Sequence, residues 1–315
     1  MSARTQRSPL SRPAARTLGL ESLEARDLKA GDVTVFVSGD DLVILGDNAA
    51  NEVRVRQSLG RLVVEGLNGT EINGKDRAFK AFVGDDVRID LNGGADKLTI
   101  DHETPTLFQT DIKGSLDIDE VEDVKLFNLD LHGSLDVDLE GVSGRVRMFD
   151  FVVEGTANIH GTGGLQRAEL NAGIFDQNLS IDFSGGGNDT VQLGAVTADK
   201  NVNITTADGR DDVRVEFFTR IGLDLNIDTG TDDDFIKVES TIIEDDLNID
   251  VGSDDNEVVI NSIIVDDIFV NLDDGDDDIL TLDVEQADLV DIDADNDDEL
   301  DINDDNINDV DVIID

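Results

Sequence analysis

The chain has 315 residues, of which 73 are acidic and 24 basic, so its formal net charge at pH 7 is −49. Such a charge repels the phosphate backbone of nucleic acids, and no run of 18 apolar residues is available to span a membrane. Cysteine is absent, which excludes disulfides, thiolate metal sites and cysteine nucleophiles. Hydrophobic residues make up 39% of the chain, enough for a buried core, and cations are the partners that the charge favours.

Residues 1–29 are predicted to form a basic leader without regular structure. Its first 20 residues hold Arg4, Arg7, Arg12 and Arg16 and no acid. The run from Leu18 to Leu28, LGLESLEARDL, resembles the L-E-x-L-E-x-R-x-L motif near the N-terminus of planctomycete extracellular proteins. The resemblance implies export to the cell surface or beyond. A short amphipathic helix is the alternative interpretation of the same leucines.

Residues 30–80 are predicted to form an N-terminal β cap or irregular first coils. Apolar and polar residues alternate there, as in Val33, Val35 and Val37 and again in Leu42 and Ile44. Period-two alternation is typical of half-buried strands. A cap of this kind hides the end of a repetitive core from water.

Residues 81–315 carry an internal repeat, which indicates a stacked architecture. One apolar position recurs in steps that average 21.75 residues, and a second series keeps nearly the same step. The first series is Ile118, Val137, Ile159, Ile181, Ile204, Ile227, Ile249, Leu272 and Ile292; the second is Leu193, Val215, Val238, Ile260, Leu282 and Ile302. A third, looser series is Val196, Phe218, Ile243, Ile264, Val284 and Ile307.

Three short apolar segments per repeat, separated by Gly, Asp and Asn, predict an all-β fold. The segments alternate with period two and are rich in Ile and Val, which favours strands over helices. One such unit cannot bury its apolar face alone, so the units must stack with parallel strands about 4.8 Å apart. We therefore predict a right-handed parallel β-helix with about 22 residues and three short strands per coil, and a protruding loop near Pro105.

Acidic residues flank the first apolar series on its outward side. The row is Asp119, Asp138, His160, Asp182, Thr205, Asp228, Asp250, Asp273 and Asp293. Two carboxylates one strand apart repel by about 1 kcal/mol in water and by roughly 3.5 kcal/mol at an effective dielectric of 20. Salt screening, raised pKa values or bound cations must offset this repulsion.

The turn after this outward row predicts calcium ligands. Residues 184–192, SGGGNDTVQ, resemble the G-G-x-G-x-D-x-U-x calcium nonapeptide of RTX proteins with the first glycine replaced, and the turn returns every 22 residues or so. Carboxylate and carbonyl oxygens are the ligands that Ca²⁺ prefers. The candidate ligands are Asn188, Asp189, Asp211, Asp212, Asp232, Asp234, Asp254, Asp255, Asp277 and Asp278. Ions would be shared between stacked turns, such as Asp189 with Asp211 or Asp234 with Asp255; a turn built only for its geometry is the alternative.

An enzyme that acts on polysaccharides is the second hypothesis, since such enzymes often use parallel β-helices. Paired acids such as Asp211 and Asp212 are abundant, but Trp and Tyr are absent. Phe217, Phe218 and Phe235 lie at or beside apolar ladder positions and are predicted to be core. We find no Ser-His-Asp spacing, H-E-x-x-H helix or phosphate-binding glycine loop.

The sequence therefore predicts a secreted or surface-associated β-solenoid with a structural or adhesive role, and without catalytic activity. Divalent cations, with calcium first, are the expected ligands, and extracellular polysaccharide or other cell-surface components are possible partners. Ions that bind only the coiled state would drive folding after export. A passenger segment of a larger surface protein is a third possibility.

Overall fold

The computed structural model describes residues 31–102, 109–272, 278–294, 298–303 and 311–314. These residues form strands and no helix, so none of them belongs to a helix that could cross a membrane. The strands in chain order are β1 (Asp32–Ser38), β2 (Asp41–Leu45), β3 (Glu52–Ser58), β4 (Arg61–Gly66), β5 (Glu71–Ile72), β6 (Phe79–Ala81), β7 (Val87–Asp90), β8 (Lys97–His102), β9 (Thr110–Ile112), β10 (Leu116–Val121), β11 (Asp123–Leu131), β12 (Leu135–Leu139), β13 (Arg145–Val153), β14 (Ala157–Gly161), β15 (Arg167–Phe175), β16 (Leu179–Asp182), β17 (Thr190–Gly194), β18 (Thr197–Ala198), β19 (Val202–Thr205), β20 (Asp212–Glu216), β21 (Arg220–Ile221), β22 (Leu225–Asp228), β23 (Phe235–Glu239), β24 (Ile242–Ile243), β25 (Leu247–Asp250), β26 (Glu257–Ile264), β27 (Asp267–Asn271), β28 (Ile279–Gln286), β29 (Leu289–Asp293), β30 (Glu299–Asn303) and β31 (Asp311–Ile314).

One strand of every coil joins a long first sheet. Its order is β5-β1-β2-β7-β10-β12-β14-β16-β19-β22-β25-β27-β29-β31, and every pair from β2–β7 onward is parallel. The chain therefore returns to the same face once per coil, as a solenoid requires.

The other segments of each coil pair with their counterparts in the coils before and after. In the coil that begins at β19, β20 pairs in parallel with β23, and β21 pairs with β24. In β11, β13 and β15 these two segments form one strand that bends at a residue of positive φ, Asn128, Asp150 and Ala172 respectively. The predicted parallel β-helix of about 22 residues per coil is confirmed.

The core runs along the axis and consists of stacked aliphatic rows. The second predicted series is confirmed in full, because Leu193, Val215, Val238, Ile260, Leu282 and Ile302 are aligned from coil to coil. The first series is confirmed except at one coil, where Val270 and not Leu272 lies between Ile249 and Ile292. Both candidates are buried, because they are two residues apart and share the inward face.

The third predicted series is wrong in its details. Phe218 is 88% exposed and Phe217 is 55% exposed, so neither is core. Both have positive φ and lie at the corner between β20 and β21. The positive φ breaks the strand alternation there, so the two side chains point outward. Ile221 occupies the inward position next to Ile243 instead. Phe235 is only partly buried and lies under the Arg214 guanidinium, 4.8 Å from the ring centroid.

An antiparallel cap precedes the coils, as predicted. β1 pairs with β2, and β3 with β4, in antiparallel hairpins, and β4 also pairs with β6. The hairpins join the coils through the parallel pairs β2–β7 and β3–β8. The predicted basic leader and the loop around Pro105 lie outside the described residues.

Candidate functional site

A tight loop leads each coil from the first sheet into the second, and it carries the predicted calcium ligands. In residues 184–189, Gly186 and Gly187 have φ of 73° and 122°, where a side chain is disfavoured. A Cβ on Gly187 would lie 1.5 Å from the carbonyl oxygen of Gly164 in the preceding coil. The loops therefore stack in close backbone contact.

The last residue of each loop belongs to a row that we call the turn row, and its members are buried except for Glu122 and Asp298, which are partly exposed. Its members precede the second-sheet strands and are Asn51, Asp96, Glu122, Gly144, Gln166, Asp189, Asp211, Asp234, Asn256, Asp278 and Asp298. Side chains from seven members accept the backbone N–H of the row member one coil earlier: Asp96, Asp189, Asp211, Asp234, Asn256, Asp278 and Asp298. Oδ1 of Asp211 accepts the N–H of Asp189 at 2.7 Å, and Oδ1 of Asp234 accepts the N–H of Asp211 at 2.8 Å. The row thus satisfies backbone donors that the strand ladders do not reach.

Four predicted ligands lie in this row and are almost fully buried: Asp189, Asp211, Asp234 and Asp278. Burial raises the pKa of Asp189 and Asp234 to about 7 and the pKa of Asp211 and Asp278 to about 6. Their second oxygen, Oδ2, has no hydrogen-bond partner among the described residues. Each carboxyl therefore has one oxygen bound to the preceding coil and one buried oxygen without a partner.

The structure brings only some of the predicted pairs together. Asp189 and Asp211 are direct neighbours in the turn row, as expected. The expected pairing of Asp234 with Asp255 is wrong, because Oδ1 of Asn256 accepts the Asp234 N–H at 2.9 Å and Asp255 is exposed.

The remaining predicted ligands lie outside the turn row. Asn188, Asp232 and Asp254 are exposed, and Oδ2 of Asp254 accepts the N–H of Asp232 at 3.3 Å. Asp212 is already paired with a cation, since its carboxylate accepts from Arg214 Nε at 2.6 Å. Asp277 lies outside the described residues. In the part of the chain that the structure describes, none of the predicted ligands belongs to a group of three ligand atoms close enough to share one ion.

A different corner, before the first-sheet strands, holds a carboxylate cluster that the sequence reasoning missed. Ligand atoms of Asp224, Asp245 and Asp246 all lie within 4.8 Å of one another. Asp224 and Asp246 are equivalent positions in consecutive coils, and Oδ1 of Asp224 accepts the Asp246 N–H at 3.4 Å. We call these three residues the acidic corner.

The acidic corner arises because the position of Asp224 and Asp246, directly before the first-sheet strand, holds neutral residues in earlier coils and acidic residues in these later ones. In earlier coils that position is Ser115, Ser134, Thr156, Asn178 and Asn201. Asn201 Nδ2 donates to Oδ2 of Asp224 at 3.2 Å. The acidic corner could have been found from the sequence, because Asn178, Asn201, Asp224 and Asp246 follow one another in steps of 22 to 23 residues, which is the repeat length.

No basic side chain of the described residues forms an ion pair with the acidic corner. Burial raises the pKa of Asp246, and Asp245, Asp267, Asp224 and Asp266 raise it further by repulsion. Acids of earlier coils differ, since Asp101, Glu65 and Glu169 are paired with Arg54, Arg56 and Arg145 at 2.8 to 2.9 Å. Beyond Lys237 the sequence has no Lys or Arg, so these last coils must find their counter-charge elsewhere.

A second cluster, of Asp111, Asp130 and His132, already contains a cation. Lys113 Nζ lies 2.8 Å from Oδ1 of Asp111 and 3.1 Å from Nε2 of His132. The hydrogen bond to Asp111 is the main cause that raises the Lys113 pKa. A metal ion would have to displace this ammonium, so we do not treat the cluster as a metal site.

A groove of about 620 Å³ runs along the outer face of the first sheet. Asn203, Asn226 and Asn248 line it and are joined by Nδ2 to Oδ1 hydrogen bonds of 2.9 Å. Beside them lies the predicted outward acidic row, in which Asp228 and Asp250 are neighbours. Burial and the Asp250 charge raise the pKa of Asp228. Asn271 occupies the place in the row that was predicted for Asp273.

Comparison with protein-family models, with curated proteins and with solved structures finds no match for this chain. Function must therefore be argued from the geometry of these sites.

Proposed function

We propose that this protein is a structural β-solenoid that binds divalent cations, calcium first, at the acidic corner. The observation that carries the proposal is the convergence of three carboxylates, Asp224, Asp245 and Asp246, without a basic partner among the described residues. Hard carboxylate oxygens are the preferred ligands of Ca²⁺, which tolerates irregular coordination with added waters. The corner is partly exposed, so an ion could enter from solvent.

Electrostatics favours an ion at this place over one in the Gly-rich turns. Asp266 and Asp267 of the next coil lie near enough to raise the Asp246 pKa, so five carboxylates act on one region. An ion there removes repulsion between consecutive coils. Because the carboxylates converge only in the coiled state, binding would stabilise that state by linkage.

The proposed setting is the cell surface or the extracellular space, where the protein would act as a rod or an adhesive element and not as an enzyme. The leader's resemblance to an export motif supports this location. Ions bound to the rod could also bridge it to acidic polysaccharide, since like charges would otherwise keep the two apart.

Calcium is expected to raise the melting temperature of the wild-type protein at about 0.15 M NaCl, more than magnesium does. The double variant Asp224→Asn/Asp246→Asn should lose at least about tenfold in calcium affinity, because two of the three converging charges are removed. Isothermal titration calorimetry and thermal melting by circular dichroism, after treatment with a chelator, measure the two effects.

Asp176→Asn/Asp199→Asn is the matched control, since it removes two carboxylates from the equivalent corner of earlier coils. This control should bind calcium as the wild type does. Equal losses in both double variants would mean that calcium only screens the net charge. An unchanged affinity in Asp224→Asn/Asp246→Asn would reject the acidic corner as the site.

The groove of the first sheet favours a second candidate, an enzyme that cleaves polysaccharides. Asp228 and Asp250 lie one strand apart, about 4.8 Å, close to the spacing of about 5 Å between the two carboxyls of retaining glycosidases. If this candidate is right, incubation with a panel of polysaccharides should release new reducing ends, and Asp228→Asn should abolish the release. Asp182→Asn, in the same row but outside the groove, should retain it. No release from any polysaccharide would count against the candidate.

A further inference from the structure

The turn row contains two asparagines that show what its buried position requires. Asn256 Oδ1 accepts the N–H of the preceding coil, and its Nδ2 donates to the Asp254 carbonyl, two residues earlier, at 2.9 Å. Asn51 Nδ2 likewise donates to the Ala49 carbonyl, two residues earlier, at 2.8 Å. At Asn256 the position therefore offers the side chain one backbone donor and one backbone acceptor. At Asn51 only Nδ2 is bonded, because Oδ1 is buried without a partner among the described residues.

Asp96 occupies the same row one coil after Asn51 and is fully buried. Its Oδ1 accepts the Asn51 N–H at 2.5 Å, as the asparagine oxygen does elsewhere in the row. Its Oδ2 has no partner among the described residues. In Asn51 and Asn256 the corresponding atom, Nδ2, donates to the carbonyl two residues earlier, and for Asp96 that carbonyl belongs to Gly94. An ionised carboxylate in the same arrangement would place two acceptors against each other without a hydrogen between them, and the two would repel.

We propose that the Asp96 carboxyl binds a proton in the folded protein, and that its Oδ2–H donates to the Gly94 carbonyl in the way the asparagine amides of the row donate. The proton is released when the coil opens and Asp96 meets water. The four later aspartates of the row show the same burial and the same Oδ1 contact, so the arrangement at Asp96 is a recurring feature of this turn.

Among the described residues, no positively charged group that would hold Asp96 ionised acts on it. The charged groups that act on it are Glu140 and Glu122, and both repel a negative charge. Asp47, in the turn before Asn51, is exposed and accepts the backbone N–H groups of Asp32 and Ala49. The Lys97 side chain is exposed to solvent. Burial raises the pKa of Asp96 to about 6, which agrees with this geometry.

The proton on Asp96 therefore makes a contribution to the free energy of unfolding that is larger in mild acid than at neutral pH. A carboxyl whose pKa is higher in the folded than in the unfolded state stabilises the fold fully below its unfolded pKa of about 4. That contribution is lost as the pH rises through about 6, and above pH 7 none of it remains.

The direct test follows the Asp96 carboxyl carbon by NMR in protein labelled with ¹³C-aspartate, with the signal assigned by its loss in Asp96→Asn. We expect a titration midpoint near pH 6 in calcium-free buffer. The melting temperature of Asp96→Asn should also change less between pH 5 and pH 8 than that of the wild type, by about 3 °C.

Two variants serve as controls. Asp85→Asn removes the same charge at an exposed position and should keep the wild-type pH dependence of melting. Asp96→Ala removes the acceptor of the Asn51 N–H and should melt lower than Asp96→Asn at every pH.

Three results would overturn the proposal. One is a midpoint near pH 4, which would show an ordinary ionised carboxylate. Another is an Asp96→Asn variant at pH 8 that is as unstable as Asp96→Ala. The third is a shift of the Asp96 signal on addition of calcium chloride that is absent with sodium chloride, which would place a cation and not a proton on Oδ2.

Discussion

Replacing Phe151 with alanine is expected to lower the free energy of unfolding by about 3–5 kcal/mol. Phe151 is 1% exposed, and its ring centroid lies 5.0 Å from that of Phe175. The ring covers Gly173 in the next coil, where a Cβ would lie 2.1 Å from Cζ of Phe151. Truncation would leave a cavity that rigid neighbouring coils cannot close. Urea unfolding followed by circular dichroism measures the loss.

The contact with Gly173 makes this prediction sharper, because a second substitution should partly repair the first. Gly173→Ala alone pushes the Phe151 ring away and should cost about 1–3 kcal/mol. In the double variant the new methyl group enters the cavity, so the two costs should not add. Phe149→Ala is the control on the same strand, since Phe149 is 54% exposed and should cost little. Additive losses would show that Phe151 and Gly173 are not coupled.

Gly187→Ala is expected to destabilise the protein by at least about 3 kcal/mol. This value is the upper end of the cost of a single residue held in a strained backbone conformation. Two penalties combine at Gly187: its φ of 122° disfavours alanine, and the new Cβ would lie 1.5 Å from the Gly164 carbonyl oxygen. Because backbone and not a flexible side chain meets the Cβ, the coils must separate locally.

The neighbouring Gly186 provides the matched control for Gly187. It also has positive φ, but the nearest atom to its Cβ would be 3.5 Å away. Gly186→Ala should therefore cost only about 1 kcal/mol, from backbone strain alone. Thermal melting of the two variants separates the contributions, and equal melting temperatures would mean that the stacking of these turns is looser than the structure indicates.

The rows of the core could be read from the sequence because strand periodicity and repeat length act together. Leu193, Val215 and Val238 each sit on an alternating strand, and their constant step brings them to the same height in successive coils. An error of two residues, as between Leu272 and Val270, keeps the inward face because alternation has period two. Hence the fold class, the repeat length and the main aliphatic rows followed from the sequence.

Corners and turns escaped the same reasoning because positive φ breaks the alternation. At Phe217 and Phe218 the expected inward side chains point into solvent, and Ile221 fills the core position. In the Gly-rich turns, Asn256 and not Asp255 continues the buried row. A shift of one residue in such a loop decides whether an acid is buried or exposed.

What the sequence alone determined is the stacking of coils, since a 22-residue recurrence of alternating apolar residues can bury its core in only a few ways. It also determined that the last coils lack internal positive charge. Which acids act together was decided by the tertiary structure. Asp224, Asp245 and Asp246 meet because one corner of the coil stacks two consecutive turns against each other. Asp96 is buried because it lies at the inward-facing last position of its loop, in the turn row. Both outcomes depend on loop dihedral angles, which residue type and spacing constrain weakly.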